Sequence, residues 1–161
     1  MKILVLNAGS SSIKFQLFNM DNSSVMANGL VEQIGENESN ARIKFYDIKG
    51  AEYKKEVQGS IPNHEAALKL MSNLLIESGV IKDLNELDGI GHRVVQGGSS
   101  FSKPVLVDEW VVTEIERLIP LAPLHNPGHL AGIKVSLEQS PKVPQVVVFD
   151  TAFHSSLPKH A

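Results

Sequence analysis

The spacing of the apolar residues changes near residue 63, and this change constrains the fold more than any other feature of the sequence. Before it, stretches such as Ile13–Phe18 alternate apolar and polar residues, which is the period of a half-buried β-strand. After it, the apolar residues between Asn63 and Ser78 follow helical spacing, and Gly79 ends the pattern. The sequence therefore predicts an antiparallel meander followed by helices that alternate with strands.

The same patterns predict the individual elements. Strands are predicted at residues 2–7, 13–18, 25–34, 42–48, 52–57, 90–95 and 145–150. After the helix at 63–78, the capping box Thr113–Glu116 opens a short helix that Pro120 ends. Asn126-Pro127 places an N-cap residue before a proline, which opens a third helix to Gln139. This order predicts an α/β protein with a mixed sheet and helices on its faces.

Composition, charge and the lengths of the apolar runs exclude several classes of protein. The net charge of −3, from 15 basic and 18 acidic residues, gives no basic surface of the kind that binds nucleic acid. Cysteine is absent, which excludes thiol catalysis and suits a reducing compartment. The apolar run Ile3–Leu6 is too short for the core of a signal peptide, and no run approaches the ~18 residues of a membrane span. We therefore expect a cytoplasmic protein that binds neither nucleic acid nor membranes.

Polar residues lie at the carboxyl ends of three predicted strands. Asn7 follows the first strand, Arg93 lies late in the strand at 90–95, and Asp150 follows the last. In open α/β sheets, ligands bind outside the carboxyl ends of the parallel strands. We therefore expect Asn7, Arg93 and Asp150 to converge on one crevice.

The connection after the first strand is Gly9-Ser10-Ser11-Ser12, here called the serine turn, and Lys14 follows it. It is not a Walker loop, because that motif requires GxxxxGK[ST] and a helix, whereas a strand follows here. Backbone N–H groups and hydroxyls in a compact turn can still bind phosphate oxygens. The alternative is an ordinary polar hairpin turn, with Lys14 as a solvated strand residue.

Arg93 lies in an otherwise apolar strand, where a guanidinium needs an anionic ligand or an ion-pair partner. The alternative to a ligand site is therefore a structural salt bridge. The neighbouring His92 points to the other face of the strand, which favours a structural role. His125 lies in a loop made rigid by three prolines, and Asp150 directly follows four apolar residues. A carboxylate there can bind Mg²⁺ or act as a base, or it can cap a turn.

Four stretches together closely resemble the acetate and propionate kinase family. They are LNAGSSSIKF at 6–15, GHRVVQGG at 91–98, PLAPLHNP at 120–127 and FDTAFH at 149–154, and they occur in family order. The resemblance implies transfer of a phosphoryl group from ATP to acetate, giving acetyl phosphate and ADP with Mg²⁺, or with Mn²⁺ in its place. It also implies a ribonuclease H-like, mixed five-stranded sheet with flanking helices, as in the superfamily of acetate and sugar kinases, actin and heat-shock ATPases.

The resemblance assigns roles around the nucleotide. Asn7 would lie at the metal and phosphate site. Lys14 would contact ATP, with Ser10 and Ser12 in the turn that binds its phosphates. The serine turn thus resembles a phosphate-binding turn with a cation beside it.

The resemblance also assigns roles around the acid. Arg93 would hold the substrate carboxylate or the phosphoryl group in flight, and Val95 and Leu124 would form the walls of the pocket for the methyl group of acetate. His125 would stabilise the transferring oxygens. Asp150 matches the residue that does acid–base or metal-positioning work.

The chain departs from the family in its extent, because the family continues beyond Ala161 into a second domain. We interpret residues 1–150 as an N-terminal kinase domain and residues 151–161 as the start of a link to a nucleotide-binding domain. Such a fragment would hold half an active site and be inactive alone, and the full-length protein would be a homodimer. The alternatives are a propionate kinase and a non-catalytic module of the same fold that binds anions or phosphates.

Overall fold

One mixed β-sheet organises the part of the chain that the computed structural model describes, namely residues 1–94, 105–106 and 126–149. Its strands are β1 (Lys2–Ala8), β2 (Ile13–Asn19), β3 (Ser24–Glu32), β4 (Ser39–Tyr46), β5 (Glu52–Gly59), β6 (Gly89–Val94), β7 (Val105–Leu106) and β8 (Gln145–Phe149). The α-helices of this part are α1 (His64–Glu77) and α2 (Asn126–Gln139), and a 3₁₀ turn spans Leu84–Glu86.

The strand order is β5-β4-β3-β2-β1-β6-β8-β7. Strands β1 to β5 form an antiparallel meander, whereas β1, β6 and β8 are parallel to one another. The predicted mixed sheet is therefore confirmed, but its predicted size of five strands is wrong. The described part has eight strands, because the polar strands β4 and β5 extend the same sheet and β7 pairs antiparallel with β8.

Most predicted strand boundaries lie within one or two residues of the observed ones, and the largest difference is at the start of β4, which begins at Ser39 instead of the predicted Arg42. Strand β3 ends before the predicted Ile34 because Gln33 takes a left-handed conformation, with φ of 58°. Helix α1 begins where predicted, since the Asn63 side chain accepts a hydrogen bond of 2.9 Å from the N–H of Ala66. Helix α2 ends at Gln139, as predicted.

The two faces of the sheet differ in their environment. Ile13, Phe15 and Leu17 of β2 are fully buried on the face that carries both described helices, and Lys14 between them is exposed on the other face. Helix α1 packs against β2, β3 and β4, and α2 packs against β1 and β6. The alternation predicted for this strand is confirmed, so the charged residue reaches the face opposite the helices.

Two glycines allow close packing on the helix-covered face. A Cβ at Gly29 of β3 would lie 2.3 Å from Cζ of Phe15 and 2.4 Å from the carbonyl oxygen of Arg42. A Cβ at Gly132 of α2 would lie 2.9 Å from Cβ of Ala8, the last residue of β1. Gly132 thus brings α2 against the end of β1 that leads into the serine turn.

Candidate functional site

Asn7, Lys14 and Arg93 lie on one face of three neighbouring strands. Asn7 of β1 is the register partner of Lys14 of β2. On the other side of β1, Leu6 pairs with His92 in parallel register, so Asn7 and Arg93 are the next residues of adjacent strands. Neighbouring strands lie about 5 Å apart, and side chains one residue further along point to the opposite face. These three side chains therefore share the face opposite the helices, and Asn7 and Arg93 lie where the parallel strands end.

Arg93 is exposed on this face, whereas His92 beside it is buried. The predicted opposite orientations of the two residues are confirmed. Ile90 and His92 are buried on the helix-covered side of this strand, whereas Arg93 on the other side escapes the burial that the sequence suggested.

Three carbonyl groups of the serine turn, those of Gly9, Ser11 and Ser12, accept hydrogen bonds from within the protein. The N–H of Gly9 donates to the carbonyl of Ser12 at 2.8 Å, and the N–H of Ile34 donates to the carbonyl of Ser11 at 2.9 Å. The carbonyl of Gly9 lies 2.7 Å from Nε2 of His64. The turn is therefore anchored both to the end of β3 and to the start of α1.

The N–H groups of the turn are left available by this arrangement. Among the described residues, no backbone carbonyl accepts from the N–H of Ser10 or of Ser12. Ser10 is exposed and Ser12 is half-buried. Successive N–H groups and hydroxyls that are not engaged within a compact turn are a common way to bind phosphate oxygens.

Lys14 differs from the other cations on its face. Arg42 lies 3.3 Å from Glu32 and Lys44 lies 3.6 Å from Glu52, so both are paired. Within the described ranges, no carboxylate forms an ion pair with Lys14. Lys14 also lines an open groove of about 670 Å³ on this face together with Arg42 and Lys44. Its charge is thus available to an anion that lies against the serine turn.

A buried polar network lies beneath Arg93. Nε2 of His92 lies 2.7 Å from Oε1 of Gln145, and the amide of Gln145 donates to the carbonyl of Ser140 at 3.5 Å. Burial lowers the pKa of His92 to about 4, although its hydrogen bond with Gln145 opposes the shift. His92 is therefore neutral near neutral pH and joins β6 to the start of β8 rather than facing the site.

Helix α2 approaches the same edge of the sheet. Its C-terminal end leads directly into the start of β8, so its first turn lies toward the carboxyl ends of the parallel strands. Gly132 contacts the end of β1, and six residues of helix rise about 9 Å further in that direction to Asn126. The first turn of α2, which begins at Asn126, thus lies toward the edge where Asn7 and Arg93 lie.

Several predicted site residues lie outside the described part of the chain. They are Val95, Leu124, His125 and Asp150, together with the short helix that the Thr113–Glu116 capping box opens. Their placement stays a prediction, and so do the roles of Asn7, Ser10, Ser12, Lys14 and Arg93.

The described residues contain no group of three or more His, Cys, Asp or Glu side chains that could hold a metal ion. At the end of β1, the carboxamide oxygen of Asn7 is a hard oxygen donor of the kind that binds Mg²⁺. In the same ranges, no helix is both long and apolar enough to cross a membrane.

No pattern in the sequence marks His64 as a functional residue. Its contact joins residues 55 positions apart, and the local pattern around Asn63 shows only the start of a helix. A histidine at a helix start is common enough to carry no signal by itself. Only the packing of α1 behind the serine turn reveals the contact.

The family model described as the Acetokinase family matches residues 2–161. The chain belongs to the acetokinase family. It is 54% identical over 162 residues to the acetate kinase of Campylobacter lari, a match that covers 100% of this chain and 40% of that protein. The resemblance found in the sequence is therefore confirmed, and the chain spans about 40% of the length of its acetokinase relatives.

Two solved structures of the acetokinase family superpose on nearly the whole chain. The crystal structure of Porphyromonas gingivalis acetate kinase matches with a TM-score of 0.85 and 39% identity, covering 99% of this chain and 40% of that one. A propionate kinase from Francisella tularensis matches with a TM-score of 0.80 and 38% identity, covering 99% and 39%. These matches confirm the α/β fold of the acetate and sugar kinases.

Proposed function

We propose that this chain is the N-terminal part of an acetate kinase, which transfers the γ-phosphoryl group of ATP to acetate. The observation that carries the proposal is the grouping of Asn7, Lys14 and Arg93 on one face, beside a turn with available N–H groups. In a member of the acetokinase family, this grouping supplies donors for a triphosphate and for a carboxylate. The products would be acetyl phosphate and ADP.

The serine turn and Lys14 would bind the phosphates of ATP. The N–H groups and hydroxyls of Ser10 and Ser12 would donate to phosphate oxygens, and Lys14 would contribute a positive charge that no described carboxylate neutralises. Phosphoryl transfer depends on positioning and on neutralising charge more than on covalent chemistry. Donors that are already oriented in the free protein suit this task.

Arg93 would hold the carboxylate of acetate or the phosphoryl group during transfer. One carboxylate oxygen forms the new bond to the γ-phosphorus, and the bond from that phosphorus to the β–γ bridging oxygen breaks as ADP leaves. A guanidinium can bind two oxygens of either group at once. Val95 and Leu124 would form the walls around the methyl group, and His125 would stabilise the transferring oxygens.

Asp150 would position the metal ion and would not act as a general base. Acetate is already ionised near neutral pH, so it needs no base to become a nucleophile. Mg²⁺ fits the donors at this edge, since it is usually held by one or two protein oxygens together with substrate phosphates and water. Asn7 and Asp150 would supply those protein oxygens, and Mn²⁺ accepts the same oxygen donors. The metal ion would neutralise charge on the transferring phosphoryl group.

We further propose that residues 1–150 form the first kinase domain and that residues 151–161 begin the link to a second, nucleotide-binding domain. The relatives are about two and a half times as long as this chain, which supports the existence of a further part. The second domain would close the site over ATP, so this chain would be inactive by itself. The full-length enzyme would be a cytoplasmic homodimer.

The test is a coupled assay of ADP release by the full-length enzyme with ATP, Mg²⁺ and either acetate or propionate. The proposal expects the higher kcat/KM with acetate. Propionate kinase is the second candidate, because a propionate kinase structure is among the close structural matches. A higher kcat/KM with propionate would favour that candidate. Binding of ATP without turnover on either acid would indicate a non-catalytic module.

A further inference from the structure

The serine turn is held from behind by a histidine that the proposed mechanism does not use. Nε2 of His64 lies 2.7 Å from the carbonyl oxygen of Gly9. A carbonyl oxygen only accepts hydrogen bonds, so Nε2 carries the hydrogen and donates it. Both the neutral Nε2–H tautomer and the imidazolium form can make this bond. The contact therefore does not depend on the charge of the histidine.

This contact determines where the next N–H group points. The peptide unit between Gly9 and Ser10 is planar, and in a trans peptide the C=O and the following N–H point in opposite directions. With the Gly9 carbonyl held toward His64, the Ser10 N–H is directed away from α1. In the same way, the N–H of Ile34 holds the Ser11 carbonyl, and the Ser12 N–H is therefore directed away from Ile34.

We propose that His64 is a positioning residue for phosphate binding, which orients the Ser10 N–H toward the phosphates of ATP through the Gly9 carbonyl. The inference rests on the proposed function, since it takes the serine turn as the phosphate-binding turn. Without the donor, the Gly9–Ser10 peptide can rotate. The turn then loses one of its N–H groups for the phosphate.

The contacts of α1 indicate that its folding does not depend on the bond from His64 to Gly9. Helix α1 has its own N-cap, because Asn63 accepts from the N–H of Ala66 at 2.9 Å. The helix is anchored by a buried face that consists of Ala67, Leu68, Met71, Leu74 and Leu75. His64 itself is only half-buried. The helix therefore has the contacts it needs without the bond to Gly9.

The test uses the full-length enzyme with three variants. His64→Phe keeps an aromatic ring of similar size without a donor, and His64→Gln supplies an amide N–H at a similar reach. Asn63→Ala is the matched control, because it weakens the start of α1 without removing a bond to the serine turn. Three quantities are measured for each protein: kcat/KM for ATP, the KM for acetate, and the melting temperature with and without MgATP.

We expect His64→Phe to lower kcat/KM for ATP by roughly 10- to 100-fold, the range that misplacement of a binding group produces. The KM for acetate should change little, the melting temperature without ligand should stay near that of the wild type, and the rise with MgATP should shrink. His64→Gln should recover most of the activity. Asn63→Ala should lower the melting temperature and leave kcat/KM for ATP near the wild-type value.

A His64→Phe enzyme with wild-type kcat/KM for ATP and a wild-type response to MgATP would refute the positioning role. Equal losses in His64→Phe and Asn63→Ala would also refute it, because they would show a general loosening of α1. A wild-type enzyme that turns over neither acid would instead refute the proposed function. The melting response to MgATP would then still decide whether His64 supports phosphate binding.

Discussion

The ring of Phe15 lies against the backbone of Gly29 with no space for a side chain between them. A Cβ at Gly29 would lie 2.3 Å from the ring and 2.4 Å from the carbonyl oxygen of Arg42. Phe15 is fully buried in the core, so the ring cannot move aside without displacing its neighbours. This contact joins β3 to β2, the strand that also carries Lys14.

Gly29→Ala should therefore destabilise the protein by about 1–3 kcal/mol, the usual cost of overpacking a core. The measurement is the melting temperature of the full-length protein. Gly91→Ala is the matched control, since a Cβ there meets no described atom within 4 Å. Equal melting temperatures for the two variants would show that the packing at Gly29 can adapt.

Lys14→Ala should lower kcat/KM for ATP by roughly 10- to 150-fold, which corresponds to one charge-assisted hydrogen bond of about 1.5–3 kcal/mol. The reason is that Lys14 lies opposite Asn7 beside the serine turn. Lys44→Ala is the control, because it removes the same charge from the same face at a residue paired with Glu52. Similar effects of both substitutions would point to a general effect of surface charge.

Arg93→Lys should cost roughly 10- to 150-fold in kcat/KM for acetate, because an ammonium cannot bind two oxygens as a guanidinium does. The fold should survive, since the exposed side chain keeps its charge and its stem. Both kcat/KM and the melting temperature are measured on the same variant. Near-wild-type catalysis with a lower melting temperature would mark Arg93 as a structural salt-bridge residue.

Protonation of His92 should destabilise the protein in acid. The pKa of His92 is lowered from 6.5 in the unfolded chain to about 4 in the fold. The unfolded state therefore binds the proton first, so the stability that neutral His92 contributes is complete above about pH 6.5 and is lost as the pH falls toward 4. The loss is about 3 kcal/mol when the shift is converted at 1.36 kcal/mol per unit.

His92→Gln keeps a hydrogen-bonding group beside Gln145 and removes the titration. The difference in melting temperature between wild type and variant is compared at neutral pH and near pH 5, which cancels the contributions of the other titrating groups. The wild type should lose more stability than the variant on acidification. A difference that does not change with pH would show that His92 keeps its ordinary pKa in the fold.

The 161-residue chain by itself should release no appreciable ADP from ATP in the presence of acetate and Mg²⁺. A phosphoryl-transfer site needs a second surface that excludes water and closes over the nucleotide. The full-length enzyme at the same concentration is the reference. Turnover near the full-length rate would show that the first domain is sufficient for catalysis.

Local patterns in the sequence determined the type of most elements and the orientation of their side chains. Alternation placed Ile13, Phe15 and Leu17 in the core and Lys14 outside, and Asn126-Pro127 predicted the start of α2. The alternation of side chains along a strand also predicted that His92 and Arg93 point to opposite faces of the sheet. These features depend on residues only a few positions apart, which is why the sequence suffices for them.

Tertiary structure decided which of these elements meet. Asn7 and Arg93 become neighbours because β6 inserts beside β1 after 80 residues of intervening chain in which the meander and α1 form. Tertiary structure also decided the size of the sheet, the contact from His64 to Gly9 and the need for glycine at position 29. Strand order and register depend on how distant segments bury their apolar faces against one another, and no local period encodes that choice.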